Sequence, residues 1–224
     1  MKIHPVRMGV CTSYIVRDEG TVLVDAGQQG YGHAFLRRLA EVGVAPSELT
    51  LIFLTHGHYD HIGFLGELRK LSTAPVAIHH REKPWVEQGL KPFPPAITAW
   101  GKVLGFFSRS FLMPKQTFGG VPVDVTLGDD PIALQGYGVD GVVYPTPGHS
   151  AGSMSLILGT GDAFVGDLAV NGLPQRLGPN MSVFAEDPGL IPHSWRIILQ
   201  AGAKVVYPAH GKPFAASALE RLLH

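Results

Sequence analysis

Short runs of β-branched and aliphatic residues alternate along the chain with segments whose apolar residues recur every three or four positions. The runs at 12–16 and 21–25, separated by a polar turn, predict an antiparallel hairpin. Residues 35–42 have apolar side chains at helical spacing, and Gly43 stands where a helix of that length would end. A buried strand is predicted at 49–55 because most of its residues are apolar.

The alternation of strands and helices continues toward the end of the sequence. A helix is predicted at 61–71 because its leucine and isoleucine residues are spaced by three. The other predicted elements are strands at 75–78, 142–144, 153–158, 163–166 and 204–207 and a helix at 192–201. This order of elements is typical of a mixed α/β domain.

Residues 88–120 differ in composition from the rest of the chain. Between Glu87 and Asp124 there is no acidic residue, whereas four residues are basic and five apolar residues follow helical spacing. The basic residues are Lys91, Lys102, Arg109 and Lys115, and the apolar residues are Ile97, Trp100, Leu104, Phe107 and Phe111. Because no repeat and no flexible linker divides the chain, we expect one domain over 1–224 with a basic amphipathic insertion at 88–120.

The overall composition excludes several classes of protein. Eighteen basic and eighteen acidic residues give a formal net charge of zero, so nucleic acid is not an expected partner. Cys11 is the single cysteine, which rules out an intrachain disulfide and a cluster of thiolate metal ligands. We find neither a signal peptide nor an apolar run long enough to cross a membrane, and therefore expect a cytoplasmic protein.

Four potential metal ligands fall within six positions directly after the predicted strand at 49–55. They form the pattern H-x-H-x-D-H at His56, His58, Asp60 and His61. Imidazole and carboxylate groups are ligands that zinc favours, and a turn can direct alternate side chains to one ion. A histidine cluster on a solvated loop is the alternative, which the number and spacing of the four ligands disfavour.

Three further candidate ligands each follow a later apolar run. They are His149 in the segment Thr-Pro-Gly-His-Ser, Asp167 after Phe-Val-Gly, and His210 in Tyr-Pro-Ala-His-Gly. Taken singly, each could cap a turn or lie in solvent. Together with the H-x-H-x-D-H segment, they indicate a metal site built from the ends of several strands.

These segments, with Asp25 in the sequence Val-Asp-Ala-Gly, resemble the metallo-β-lactamase superfamily of metallohydrolases. The motifs occur in the family's order between residues 12 and 212, and the resemblance omits only the insertion at 88–120. It implies a four-layer αββα sandwich with two divalent metal ions at one edge, which we expect to be zinc, with iron or manganese as alternatives.

The resemblance also implies a role for each of these residues. It assigns His56, His58 and His149 to a first metal ion, Asp60, His61 and His210 to a second, and Asp167 to a bridge between them. Asp60 is also expected to accept a hydrogen bond from the attacking water and to pass a proton to the leaving group. Asp25 is expected to be a buried carboxylate that orients the imidazoles without binding metal; a cap at the end of the hairpin is the alternative.

Two metal ions about 3.5–4 Å apart would hold a shared hydroxide and polarise a carbonyl group. The resemblance therefore implies a hydrolase that cleaves an ester, thioester or lactone of a small acyl substrate. A mononuclear iron oxygenase acting on persulfides, which would use His56, His58 and a carboxylate, is one alternative. A non-catalytic metal-binding protein is another.

Features around the ligands bear on the branch of the superfamily. The sequence around His149 resembles thioesterases of the glyoxalase II type, but only fourteen residues follow His210, so we expect no C-terminal helical domain. Lactonases of the family have a tyrosine shortly after the bridging aspartate, where this chain has Leu168-Ala169-Val170-Asn171. A lactonase is therefore less favoured by the sequence.

The apolar residues of the insertion at 88–120 are candidates for substrate selection. Trp100, Phe107 and Phe111 would form a lid over an apolar, anionic substrate. A homodimer interface or simple packing is an equally favoured interpretation, and contact with a membrane surface is less favoured because glycine and proline interrupt the helix. His79 and His80 are expected to lie on a solvated turn outside the site.

Overall fold

Two mixed six-stranded sheets form the centre of the fold. The computed structural model describes residues 1–89, 92–112, 119–173 and 175–223, without the side chains of residues 111 and 112. Within these ranges, no helix has the length and apolar character needed to cross a membrane.

The first sheet has the strand order β1-β2-β3-β4-β5-β6. Its strands are β1 (Lys2–Met8), β2 (Cys11–Arg17), β3 (Thr21–Val24), β4 (Leu51–Phe53), β5 (Val76–His79) and β6 (Val125–Leu127). The first three pair antiparallel and β3 to β6 pair parallel. The predicted hairpin is confirmed, whereas β1 was not predicted. Pro5 weakens the strand signal there and is tolerated because β1 lies at the sheet edge.

The second sheet has the strand order β14-β13-β10-β9-β8-β7. Its strands are β7 (Ile132–Ala133), β8 (Gly141–Pro145), β9 (Met154–Leu158), β10 (Asp162–Gly166), β13 (Val205–Pro208) and β14 (Phe214–Ala215). A separate pair is formed by β11 (Val170–Asn171) and β12 (Pro179–Asn180). Strand β9 runs antiparallel to both β8 and β10, and β13 is parallel to β10. Strands β8, β10 and β13 therefore end at the same edge.

The helices connect and cover the two sheets. They are α1 (Gly32–Glu41), α2 (Tyr59–Ile62), α3 (Leu65–Leu68), α4 (Lys83–Gln88), α5 (Ala99–Phe107), α6 (Ile191–Gln200) and α7 (Ser217–Leu222), with 3₁₀ turns at Pro46–Glu48 and Gln135–Tyr137 and a π-helical turn at Ser108–Leu112. The single helix predicted at 61–71 is wrong, because α2 and α3 are separate. Gly63 divides them where its amide donates to Gly27 O, and a Cβ at Gly63 would lie 2.3 Å from the Gln29 nitrogen.

Three apolar layers hold the sheets and helices together. One lies between the first sheet and helices α1 and α3, and includes Phe35, Ile52 and Leu68. The second lies between the sheets, where Phe53 and Phe164 pack in the same cluster. The third joins the second sheet to α6 and α7. The four-layer αββα sandwich that the resemblance implies is thus confirmed.

The two sheets are joined at the edge where their parallel strands end. The Tyr14 hydroxyl of the first sheet donates to the Pro208 carbonyl of the second at 2.7 Å. The amide of Met154 at the start of β9 donates to Thr55 O at 2.9 Å. Loops that follow the strands of both sheets therefore meet at this edge, as expected for sites at the carboxyl ends of strands.

Candidate metal centre

Seven potential ligand side chains from both sheets are buried at this edge. The first sheet contributes the segment after β4, with His56, His58, Asp60 and His61, and the second contributes His149 after β8, Asp167 after β10 and His210 after β13. Each predicted ligand therefore lies beyond the carboxyl end of a strand. Asp60 and His210, 150 positions apart in sequence, meet because the strands that precede them end at the same edge.

Two groups of these residues that share no member each have their ligand atoms within 4.8 Å of one another, and a third such group, His56, His61 and Asp167, takes one histidine from each. His56, His58 and His149 form the first group, in which His58 Nδ1 lies 2.9 Å from His149 Nε2. Asp60, His61 and His210 form the second group, in which His210 Nε2 lies 3.3 Å from Asp60 Oδ2. Their membership matches the two ligand sets that the resemblance assigns, whose metal-binding roles stay a prediction.

Asp167 lies between the two groups. Its Oδ1 atom is 3.4 Å from His61 Nε2 and 3.2 Å from His210 Nε2, both in the second group. Its Oδ2 atom is 3.6 Å from His149 Nε2 in the first group. One carboxylate oxygen therefore faces each group, which is the arrangement that a bridging ligand requires.

Asp25 and Thr55 fix the orientation of imidazoles in the H-x-H-x-D-H segment. His61 Nδ1 donates to Asp25 Oδ2 at 2.8 Å, and the Thr55 amide donates to Asp25 Oδ1 at the same distance. The Thr55 hydroxyl also contacts both Asp25 oxygens and lies 3.1 Å from His56 Nδ1. Asp25 has a φ of 61°, a left-handed conformation that aspartate tolerates better than most residues. Thr55 was not singled out by the sequence analysis.

Backbone carbonyls orient two other imidazoles. His149 Nδ1 donates to Phe184 O at 2.9 Å, and His210 Nδ1 donates to Val10 O at 3.0 Å. Because Nδ1 is the donor, the neutral form of each ring presents the lone pair of Nε2 to the centre. A carbonyl acceptor has no sequence signal, and neither Val10 nor Phe184 could be identified from the sequence.

Burial and opposite charges shift the protonation of the ligands. Burial and the neighbouring imidazoles lower the pKa of His56 well below 6.5. Burial alone would raise the pKa of Asp167, but the charge of His210 outweighs it and holds that pKa well below 3.8. Burial likewise opposes the charge on His210, yet Asp167 and Asp60 raise its pKa to about 10. A protonated imidazole thus balances the carboxylates, in the position where a bound cation would replace its proton.

Two buried ligand atoms test whether the centre suits a metal ion. His56 Nε2 has no hydrogen-bond partner among the described residues, and His61 Nε2 lies 3.4 Å from Asp167 Oδ1 without hydrogen-bond geometry. A buried polar atom without a partner costs about 1–3 kcal/mol, which coordination would relieve. Nitrogen and oxygen ligands suit zinc, iron and manganese. The residues therefore fit divalent metal ions.

Helix α5 packs against the segment that supports His149. The Ile97 amide donates to Val183 O at 2.9 Å, and the helix approaches this segment through Gly101 and Gly105. The buried face of α5 is thus formed by glycines rather than by the large apolar residues. Trp100 and Phe107 are 50% and 55% exposed, and the side chain of Phe111, the third lid candidate, lies outside the described residues.

The expectation that His79 and His80 lie on a solvated turn is half wrong. His80 is exposed, but His79 is buried, with its ring against that of His80. His79 Nε2 contacts Asp129 Oδ1 at 3.2 Å, and Arg81 binds both oxygens of the same carboxylate. The ring of His79, the last residue of β5, lies against the loop that follows His149, where a Cβ at Gly152 would be 3.0 Å from His79 Nδ1. His79, His80 and Asp129 form a separate group whose ligand atoms also lie within 4.8 Å of one another, and they share no member with the groups of the centre.

The chain belongs to the metallo-beta-lactamase superfamily, whose sequence model matches residues 6–210. It is 31% identical over 197 residues to metallo-beta-lactamase domain-containing protein 1 of Rattus norvegicus, covering 87% of this chain and 63% of that protein. It is 28% identical over 161 residues to the probable metallo-hydrolase YqgX of Bacillus subtilis (strain 168), covering 71% and 65%. The chain thus spans less than two thirds of the length of these relatives.

Solved structures with the same fold include a B3 metallo-beta-lactamase and a di-iron protein. BLEG-1 superimposes with a TM-score of 0.71 at 23% identity, covering 96% of this chain and 95% of that one. The di-iron-bound form of TTHA1623 superimposes with a TM-score of 0.69 at 25% identity, covering 97% of both chains. The first comparison supports the fold alone, and the second shows that a protein of the same fold binds iron.

Proposed function

We propose that the protein is a binuclear metal-dependent hydrolase that cleaves an ester, thioester or lactone bond of a small acyl substrate. The proposal rests on the two buried ligand groups with Asp167 between them. Membership of the superfamily and similarity to proteins named metallo-hydrolases support the reaction class. A cytoplasmic location, which the sequence analysis predicts, belongs to the same proposal.

In this proposal one divalent ion is held by the first ligand group and one by the second, with zinc as the expected metal. Such a pair, when bound, supplies a hydroxide nucleophile near neutral pH and polarises the bond to be cleaved. Thr55, Asp25 and the carbonyls of Val10 and Phe184 would keep the imidazoles in the orientation that metal binding needs.

Asp60 is the residue we propose for proton transfer. Burial would raise the pKa of Asp60, but the charges of His61 and His210 lower it, so its carboxylate is ionised at neutral pH. An ionised carboxylate can accept a hydrogen bond from the attacking water and then hold its proton at Oδ1 or Oδ2. From there the proton would pass to the leaving oxygen or sulfur.

The exposed apolar side chains of α5 would select the substrate. Trp100 and Phe107 are exposed on α5, the helix that packs against the segment supporting His149, and Lys102 adds a positive charge to the same helix. A small apolar substrate with an anionic group would match this surface, and neither nucleic acid nor a membrane surface is a proposed partner. Replacing Phe107 by alanine is expected to raise KM about tenfold with little change in kcat, which corresponds to ~1.4 kcal/mol of lost binding.

A homodimer interface on α5 is the competing proposal for this surface. Sedimentation of the wild type and of the Phe107→Ala variant separates the two. A dimer that dissociates in the variant would assign this face to self-association, whereas an unchanged monomer with raised KM would support the lid.

Metal analysis combined with two assays tests the proposed reaction. The protein is purified without an affinity tag or chelator, its metals are counted per chain, and it is assayed with thioesters, lactones and phosphodiesters. Two zinc ions per chain with hydrolysis of an acyl substrate are expected. One iron per chain with oxygen consumption on a persulfide would replace the hydrolase by the oxygenase alternative, and the di-iron relative makes iron the metal to test beside zinc.

A further inference from the structure

We infer that Glu82 is a positioning residue whose carboxylate bridges the two loops that supply the first ligand group. Glu82 precedes α4 in the first sheet's connections and is only 1% exposed. It is not a candidate ligand, because it belongs to none of the ligand groups in the described residues. A carboxylate is rarely buried so completely unless its oxygens are bound.

Each oxygen of Glu82 accepts a hydrogen bond from a different loop. The Gly57 amide donates to Oε2 at 3.0 Å, and the Gly152 amide donates to Oε1 at 3.2 Å. Gly57 lies between His56 and His58 in the loop after β4, and Gly152 lies three residues after His149 in the loop after β8. The carboxylate therefore joins the two sheets at the residues that flank the first ligand group.

Both bonds depend on glycine for space rather than for backbone conformation. Neither Gly57 nor Gly152 has a positive φ, so other residues could adopt their backbone angles. A Cβ at Gly57 would lie 3.1 Å from Glu82 Oε2, and one at Gly152 would lie 2.6 Å from Glu82 Cγ. A larger residue at either position would thus crowd Glu82, which explains why both positions in the ligand loops are glycine.

The bridge affects the first ligand group more than the second. His58 and His149 come from the two bridged loops and are only 2.9 Å apart, so their separation depends on how the loops are held. In the second group, His61 is held by Asp25 and His210 by the Val10 carbonyl. Loss of the bridge should therefore weaken the binding of the ion held by the first group and leave the binding of the other ion unchanged.

A carboxylate is required because both partners are donors. Glutamine at this position keeps the size of the side chain but turns an N–H group toward one of the two amides, so one hydrogen bond is lost. Removing a group that orients metal ligands typically weakens metal binding 10–100-fold. We expect Glu82→Gln to lower the affinity for one ion by that factor and to leave the affinity for the other at its wild-type value.

The matched control is Glu186→Gln. Glu186 Oε2 accepts from the Ala151 amide at 2.7 Å, in the same loop as Gly152, but Glu186 is exposed, whereas Glu82 is buried. Cobalt titrations give the number of ions bound and the affinity for each ion in the wild type and in both variants. Hydrogen exchange of the Gly57 and Gly152 amides, measured without metal, reports the bridge itself.

The inference rests on the proposed metal-binding function, and the two measurements separate them. Faster exchange of one glycine amide with selective loss of one ion in Glu82→Gln supports the bridge. Unchanged exchange and affinities, or equal weakening in Glu186→Gln, overturn it. A wild type that binds no cobalt overturns the proposed function, while amide exchange still decides the bridge. Should Glu82→Gln not fold, Gly152→Ala, which displaces Glu82 without removing its charge, is measured in its place and must show the same selective loss.

Discussion

Replacing Asp25 by asparagine tests the orientation of the second ligand group. Asparagine also tolerates the left-handed conformation seen here, so the backbone strain of the site stays nearly unchanged. The substitution instead removes the charge that accepts from His61 Nδ1 and places an N–H group opposite either that ring or the Thr55 amide. The variant therefore alters the hydrogen bonds of residue 25 while the conformation of the chain stays the same.

Two magnitudes follow from these contacts. If the amide N–H of asparagine faces His61, the ring must become an acceptor at Nδ1, and its proton moves to Nε2, where a metal would bind. Metal affinity at this group should fall 10–100-fold, which is ~1.4–2.7 kcal/mol. Without metal, loss of a charge-assisted hydrogen bond should lower the free energy of unfolding by about 1.5–3 kcal/mol.

The assays are a chelator competition titration and urea denaturation of the metal-free protein. Asp124→Asn is the matched control, because it alters an aspartate that, like Asp25, accepts from a backbone amide, that of Val76, but belongs to none of the ligand groups in the described residues. The reasoning is refuted if Asp25→Asn binds both ions as tightly as wild type, or if the control loses metal to the same degree.

Three further predictions concern the chemistry, the pH dependence and the sheet junction. Asp60→Asn is expected to abolish hydrolysis while both metals are retained by elemental analysis; full activity would exclude Asp60 from proton transfer. The pKa of His210 is raised from 6.5 to about 10 in the metal-free protein, so its charge stabilises the fold fully below pH 6.5, and that contribution is lost as the pH rises through 10. Metal binding at pH 7.5 should therefore release a proton, which calorimetric metal titrations in buffers of different ionisation enthalpy detect. Metal binding without proton release would contradict the assignment. Tyr14→Phe leaves the Pro208 carbonyl without its 2.7 Å donor and should lower the free energy of unfolding by about 1–3 kcal/mol in urea melts.

The sequence identified the candidate ligands that the fold brings together, but not the surroundings that orient them. The ligands occur in a dense local motif or directly after apolar strands, and both signals are visible in one dimension. Glu82 and Thr55 act through contacts between loops of different sheets, and the acceptors for His149 and His210 are main-chain carbonyls. No residue-type pattern predicts such contacts, because they depend on how the two sheets pack.

The same reason explains the errors in the predicted elements. The spacing of apolar residues over 61–71 satisfies one helix, but the loop of Asp25 and Gly27 passes so close to Gly63 that the helix divides there. In 88–120, the helical spacing was correct for α5, whereas the face that packs is formed by two glycines. In both cases a close approach between backbones decided the structure, and periodicity alone does not reveal it.

Each ligand group combines residues of both sheets. In the first group His56 and His58 come from one sheet and His149 from the other, and in the second group Asp60 and His61 meet His210. Neither group can form unless the sheets are packed in their final register, so a metal ion held by a complete group would favour the folded chain over the unfolded one. A free metal concentration of one hundred times the dissociation constant would add about 2.7 kcal/mol to the free energy of unfolding for each ion. The residues proposed to carry out hydrolysis at this edge are thus also those through which metal binding would hold the two halves of the sandwich together.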